Sequence, residues 1–353
     1  MKKLTIILIC SLTLFAGGCK KFLEEDLRGK VLGNAVLASE PGLESALTGS
    51  YKGLANTWGD GFISGGPSDG AFGADDITTP VTSAVQNEFE TLNISTASGG
   101  SSPTYQGCYK TIQGANNVIE NYTNTKGDLA KIKIMAGEAY FLRAFAYYWM
   151  VRYYKNVPIL TTATFSFDLL HVKRSTPQEV YKLIETDLGM AETLLANSKR
   201  AQGRPNIGSA KALLADVYLT QAGWPVKDNT KYALAAAKAK EVIDNKAIYG
   251  FDLVPSFATL FENDPAKIGS SELLKEEIFS VTTNKANGSS ANCLLGAYYM
   301  PAEIGGWDVG YAELNFFNNF PAGVRKDATF AYTYKKSDGT VLTWQQLNKK
   351  HPY

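Results

Sequence analysis

The stretch Ala210-Lys211-Ala212-Leu213-Leu214-Ala215-Asp216-Val217-Tyr218, followed by Gly223 and then by Tyr232, Ala235, Ala239 and Val242, decides the fold. Apolar residues recur at intervals of three and four in both halves, the spacing that gathers them on one helical face. The alanines let helix backbones approach closely, while Leu214, Tyr218 and Tyr232 fill the space between pairs. Two neighbouring helices joined by a glycine-containing turn, here Gly223 to Asn229, follow the tetratricopeptide pattern. A helix pair cannot bury its apolar stripe alone, so neighbouring pairs must stack.

Further helices lie outward from this stretch. Pro205-Asn206 opens the first helix of the pair, and Ser175-Thr176-Pro177-Gln178-Glu179 opens the helix before it, with Pro at N1 and a capping acid. Asp128 caps a long helix to about Tyr153, where Ala136, Tyr140, Arg143 and Tyr147 form one row. Tyr147, Tyr148 and Trp149 on this helix are assigned to the core. Another helix places Tyr109, Ile112, Asn116 and Ile119 along one stripe, and Glu40-Pro41-Gly42 opens an amphipathic segment carrying Leu43, Leu47 and Leu54. The fold class is therefore mostly α, a tetratricopeptide-like scaffold with its repeat core over about residues 105–245. Trp58 to Thr79, rich in Gly and Asp, reads as a long ordered loop. After Asn245 the period loosens into a loop-rich half, about residues 246–353. There Asp338-Gly339, between Tyr332-Thr333-Tyr334 and Val341-Leu342-Thr343, predicts a short β-hairpin.

Charge and composition exclude several classes. Lys and Arg number 35 against 34 Asp and Glu, which gives no electrostatic grip on phosphate backbones, so nucleic acid is not a partner. Two histidines and four cysteines, without CxxC, HExxH or clustered spacing, give no metal site and imply no cofactor. Gly66-Pro67-Ser68-Asp69-Gly70 matches a nucleophile elbow, but that motif needs a sharp strand-to-helix turn and a histidine base. The flanks supply no such turn, and His171 and His351 are each isolated in sequence. Paired carboxylates for glycoside hydrolysis are set by distance in the fold, and the adjacent Asp75-Asp76 would diverge in extended backbone. The chain is read as a binding protein rather than an enzyme.

The first residues carry an address. Met1-Lys2-Lys3 precedes the apolar run Leu4–Phe15, then Ala16-Gly17-Gly18 and Cys19, the arrangement of a signal peptide, residues 1–18, ending at a lipidation junction. The run is too short to span a bilayer, which takes about 20 residues. Cleavage leaves Cys19 as the acylated N-terminus of a tether over residues 19–39, ahead of the main domain at 40–353. It also removes Lys2 and Lys3, so 33 basic residues face 34 acidic ones, a net charge of −1. Cys108 and Cys293 lack framework spacing and are read as separate buried thiols.

Several of these segments together resemble the SusD/RagB family: the lipoprotein start, Tyr105 to Asn117, Gly137-Glu138-Ala139-Tyr140-Phe141-Leu142-Arg143-Ala144, Tyr153 to Ile159, the Arg174 to Tyr181 helix start and Gly203-Arg204-Pro205. The resemblance implies a tetratricopeptide-like body, anchoring by palmitate-type lipid at the outer membrane and exposure to the cell exterior. It further implies docking onto a SusC-like TonB-dependent transporter that receives a captured oligosaccharide or, second to it, a peptide. Lys20-Lys21-Phe22-Leu23-Glu24-Glu25-Asp26 resembles the acidic export tag of such lipoproteins. The ending departs from the family, whose members continue further, so the chain reads as cut short at its C-terminus. Sugar recognition needs aromatic platforms and side chains that hold hydroxyls. Two irregular regions offer that mixture: Trp58, Asp69 and Asp76 in one, Asn292, Tyr298, Tyr299 and Trp307 in the other. The alternatives are a helical-repeat scaffold that binds only protein, and a serine hydrolase using Ser68.

Overall fold

The computed structural model describes residues 33–58, 71–96, 102–164, 166–261, 275–281 and 295–353. The chain divides into Met1–Val36 and a compact unit, Leu37–Tyr353, to which the rest of this description belongs. Its major helices are α1 (Glu40–Trp58), α2 (Ala84–Glu90), α3 (Ser102–Asn121), α4 (Leu129–Tyr154), α5 (Pro177–Leu194), α6 (Ile207–Ala222) and α7 (Lys231–Asp244). Setting aside the short α2, each of these packs on the next, α1 on α3, then α4, α5, α6 and α7, the stacking that the repeat pattern predicts. The stack begins earlier than residue 105, because Leu43, Leu47 and Leu54 of α1 enter the same core as Ile112, Leu142, Ile184 and Val217.

Local chemistry starts these helices where the sequence places them. Asp128 accepts from the amides of Ala130 and Lys131, and Thr176 forms a reciprocal capping box with Glu179 behind Pro177. Asn206 and Ser209 form a second such box at the head of α6. α4 buries residues on every side, among them Ile132, Phe141, Leu142, Tyr147 and Met150, so it is the central helix of the stack. α1 and α3 touch backbone to backbone. Cβ atoms added at Gly53 and Gly114 would lie 2.5 Å from Thr111 N and 2.8 Å from Ser50 Cα, and Ser50 Oγ donates to Thr111 O at 2.7 Å.

Among the described residues three charged side chains are buried inside this body, Glu138, Arg143 and Asp187. Arg143 donates to both carboxylate oxygens of Asp187 at 2.8 and 2.7 Å and to Asn116 Oδ1 at 2.9 Å. Burial lowers the basicity of Arg143, but Asp187 more than offsets it and holds the guanidinium charged. Glu138 accepts from Arg200 at 2.6 Å, Arg204 at 2.7 Å and the Tyr51 hydroxyl at 2.6 Å. Burial, then the Glu138 charge, raises the Tyr51 hydroxyl well above its ordinary value.

The second half is irregular but holds more ordered structure than its sequence suggests. It contains α8 (Lys246–Tyr249), α9 (Leu295–Tyr298), α10 (Leu314–Asn319) and α11 (Val324–Thr329). Strand β1 (Ile77–Thr78) pairs antiparallel with β4 (Tyr311–Ala312), and β2 (Val157–Pro158) pairs with β3 (Arg174–Ser175). The expected hairpin is present as β5 (Thr333–Lys335) and β6 (Val341–Thr343), with Gly339 at φ +88° in its turn. The Gly/Asp stretch is not loop throughout, since Ala71–Gly73 is a 3₁₀ turn that leads into β1. A small separate core of Ala312, Phe317 and Phe330 supports this half. Cys108 is a free thiol in the main core, while Cys19 and Cys293 lie outside the described residues. No described helix is long and apolar enough to cross a membrane.

Candidate functional site

The loop face is assembled from two segments far apart in sequence, residues 71–92 and 295–353. Besides the β1–β4 pair, Thr79 Oγ1 donates to Val309 O at 2.6 Å and Glu313 N donates to Asp76 O at 3.0 Å. Glu90 accepts from Thr78 Oγ1 at 2.6 Å and from Thr79 N at 2.8 Å, which fixes the outgoing strand. At Gly310 a Cβ would meet the rings of Tyr299 and Phe72 at 2.6 and 2.8 Å, so only glycine lets the chain pass between them.

Trp307 stands on a closed turn. Its amide donates to Ala297 O at 2.8 Å, while Val309 and Gly310 both donate to Tyr298 O. Asp308, at φ +53°, accepts from Ala302 N at 3.0 Å and from the Tyr353 hydroxyl. The indole is 44% exposed. It lies 5.8 Å from the Tyr298 ring centroid, and a turn held at so many points limits its ordering cost on binding.

A groove of about 660 Å³ opens nearby in the chain, lined by Asp75, Glu313, Asn315, Phe316, Asn319 and Phe320, with Pro321 at its edge. Phe316 and Phe320 meet edge to face at 5.5 Å, and Phe330 braces both, at 6.1 and 5.4 Å. Both rings are only partly buried, so apolar surface remains toward the groove. Glu313 caps α10 through one carboxylate oxygen, accepting from Asn315 N at 2.6 Å and Phe316 N at 3.1 Å. The Asp75 carboxylate and the Asn315 amide are exposed, with no side-chain hydrogen bond among the described residues. Glu313 follows Trp307 by six positions, a span of at most about 20 Å.

Several expected ligand residues sit differently. Tyr298 is only 3% exposed, because it backs Trp307 and its carbonyl closes the turn; it braces the platform instead of offering a face. Tyr299 is half-buried and stacks on Phe72 at 6.0 Å and 22°. Asp76 is half-buried, and its Oδ1 is buried without a hydrogen-bond partner among the described residues. Trp58 ends α1, and its side chain lies outside what the structure describes, as do Asp69, Asn292 and Ser68. His351 is held by the carbonyl of Ala312 at 2.8 Å and by the ring of Tyr311 at 4.5 Å. His171 is exposed at the end of the 3₁₀ turn Phe167–His171. Among the described residues no group of His, Cys, Asp and Glu is placed to hold a metal ion.

A stacked-helix body bearing a braced, partly aromatic, polar-rimmed face defines the class, a helical-repeat scaffold with a candidate binding face. Residues 75–219 match the SusD-like family described as starch-binding and associating with the outer membrane. The SusD-like protein P2 of Formosa agariphila is 28% identical over 99% of this chain and 68% of its own length. A SusD superfamily protein from Parabacteroides distasonis superposes with a TM-score of 0.73 at 22% identity, covering 88% of this chain and 71% of that one. A laminarin-binding SusD-like protein superposes at 0.72 and 22% identity, covering 89% and 71%. The chain is therefore similar to SusD-like proteins, in sequence over residues 75–219 and in fold over most of its length.

Proposed function

We propose that this protein captures oligosaccharide on its loop face, without turnover, and passes it to a SusC-like TonB-dependent transporter while tethered through acylated Cys19 to the outer surface of the outer membrane. The observation that carries the reading is the loop face itself: an exposed indole on a many-bonded turn, six positions before a groove that combines two phenyl rings with exposed carboxylate and amide groups. Pyranose rings present apolar faces and hydroxyl edges, and this mixture matches both. The starch-binding description of the family and the laminarin-binding relative support glucan as the first class to test.

Affinity electrophoresis of the full chain through gels containing amylopectin or laminarin provides that test. Retardation by at least one glucan is expected, with Trp307→Ala weakening it about tenfold, as loss of a central aromatic anchor does. Asp75→Ala with Asn315→Ala should weaken it by a smaller factor. Free migration in every glucan, or retardation untouched by Trp307→Ala and by the Asp75/Asn315 pair, refutes the reading. Tethering has a separate readout, since Cys19→Ala should release the protein from the cell surface.

A further inference from the structure

On the helical body a bowl of about 470 Å³ opens between α1, α4 and the loop that joins α5 to α6. That volume falls within the range of small-molecule sites. Four cations line it, Lys131, Lys199, Arg200 and Arg204, against two carboxylates, Glu44 and Glu138. Both carboxylates are already engaged: Arg204 holds Glu44 at 2.6 Å and Glu138 at 2.7 Å, and Arg200 holds Glu138 at 2.6 Å. The cationic surplus therefore falls on the other side chains. Lys199 has no ion pair among the described residues, and Lys131 reaches only Glu40, at 3.4 Å. Arg200 uses one nitrogen on Glu138, and its buried Nε has no acceptor among the described residues. The rest of the lining is aliphatic: Ile134, half-buried, Met135 and Ala201, with no aromatic ring to stack a sugar.

We propose that this bowl is a second binding site, independent of the glycan reading, for a carboxylate with a short aliphatic body. The carboxylate sits toward Arg200 and Lys199, and the aliphatic part lies on Ile134 and Met135. Peptide C-termini and short fatty acids share this chemistry. Arg200 adds a second positive charge beside the exposed Lys199 ammonium, and both attract a carboxylate.

Isothermal titration of the full chain in detergent with N-acetylleucine, N-acetylleucine amide, hexanoate and glucuronate separates the possibilities. Saturable binding with Kd near or below about 1 mM is expected for N-acetylleucine or hexanoate. The tighter of the two identifies the source as peptide terminus or fatty acid. The amide should bind at least about tenfold more weakly, because it lacks the charge that the guanidinium and lysine recognise. Lys199→Glu, at an exposed side chain without an ion pair, should keep Tm and lose at least about fivefold in affinity. Absence of saturation up to about 10 mM, equal binding of acid and amide, equal binding of glucuronate, or unchanged affinity in Lys199→Glu at unchanged Tm would each overturn the proposal.

Discussion

Glu138 and Arg143 stand five positions apart on α4, and each is buried by partners from other elements. A charge in such a place is tolerable only when every lone pair or proton has a partner. Glu138 gathers Tyr51 from α1 and two arginines from the loop before α6, while Arg143 joins α3, through Asn116, to α5, through Asp187. The stretch Gly137 to Ala144 thus fixes which helices meet α4 as well as how closely. Cys108 illustrates the opposite case, a buried titratable group that stays neutral. Burial alone pushes its thiol from 9.0 to about 12. The fold therefore favours the protonated form. Above pH 9 the unfolded chain sheds this proton while the native one keeps it, so stability falls between pH 9 and about 12. The slope from this group approaches about 1.4 kcal/mol per pH unit. Urea unfolding between pH 7 and 10 should show this decline, and Cys108→Ala should flatten it from pH 9 upward. An unchanged slope in the variant would mean the thiol titrates alike in both states.

At the scale of elements, glycines inside helices separate packing from propensity. Gly114 of α3 lies against the Ser50 backbone, where an added Cβ would come within 2.8 Å, whereas nothing lies within 4 Å of the same atom at Gly189 in α5. Gly114→Ala should destabilise by about 1–3 kcal/mol through forced separation of α1 and α3. Gly189→Ala should stabilise by about 0.5–1 kcal/mol, because only the unfolded chain loses freedom. Thermal and urea unfolding of the two variants must differ in sign, and two changes of the same sign would contradict the packing of α1 on α3. The long helices were legible in the sequence because a period of 3.6 needs several turns to emerge, and Asp128, Thr176 and Asn206 mark their starts. The loop face lacked such signals. α10 has six residues and β1 and β4 have two each, too short for any period. Phe316 and Phe320 become groove residues only because tertiary contacts bring Asp75 alongside them. Tyr298 and Trp307 looked equivalent in composition, yet the turn hydrogen bonds send one inward and the other out. Side-chain direction in irregular backbone is decided by contacts that no local pattern encodes.

At the scale of the whole molecule, the two halves rest on unequal cores. The helical stack buries one continuous cluster running from Leu43 to Val217, whereas the loop half relies on Ala312, Phe317 and Phe330, with Trp344 against them. Regions with few buried apolar contacts open locally at lower free energy than the global unfolding step. Native-state hydrogen exchange should therefore find amides of β4 and α10 exchanging at least about tenfold faster than those in the middle of α4, from about Phe141 to Met150. Uniform exchange across both would mean that the unit opens all at once. Adding a retarding glucan to the same measurement locates its site. A ligand bound on the loop face closes the local openings there, slowing residues 307–320 up to about a hundredfold when its concentration is 100 times Kd. A ligand seated on the helical body, the bowl beside Arg200 included, would leave those local openings unaltered, because the body binds it equally whether the loops are open or closed. Slowing confined to α4 and its neighbours would move glycan capture off the loop face altogether.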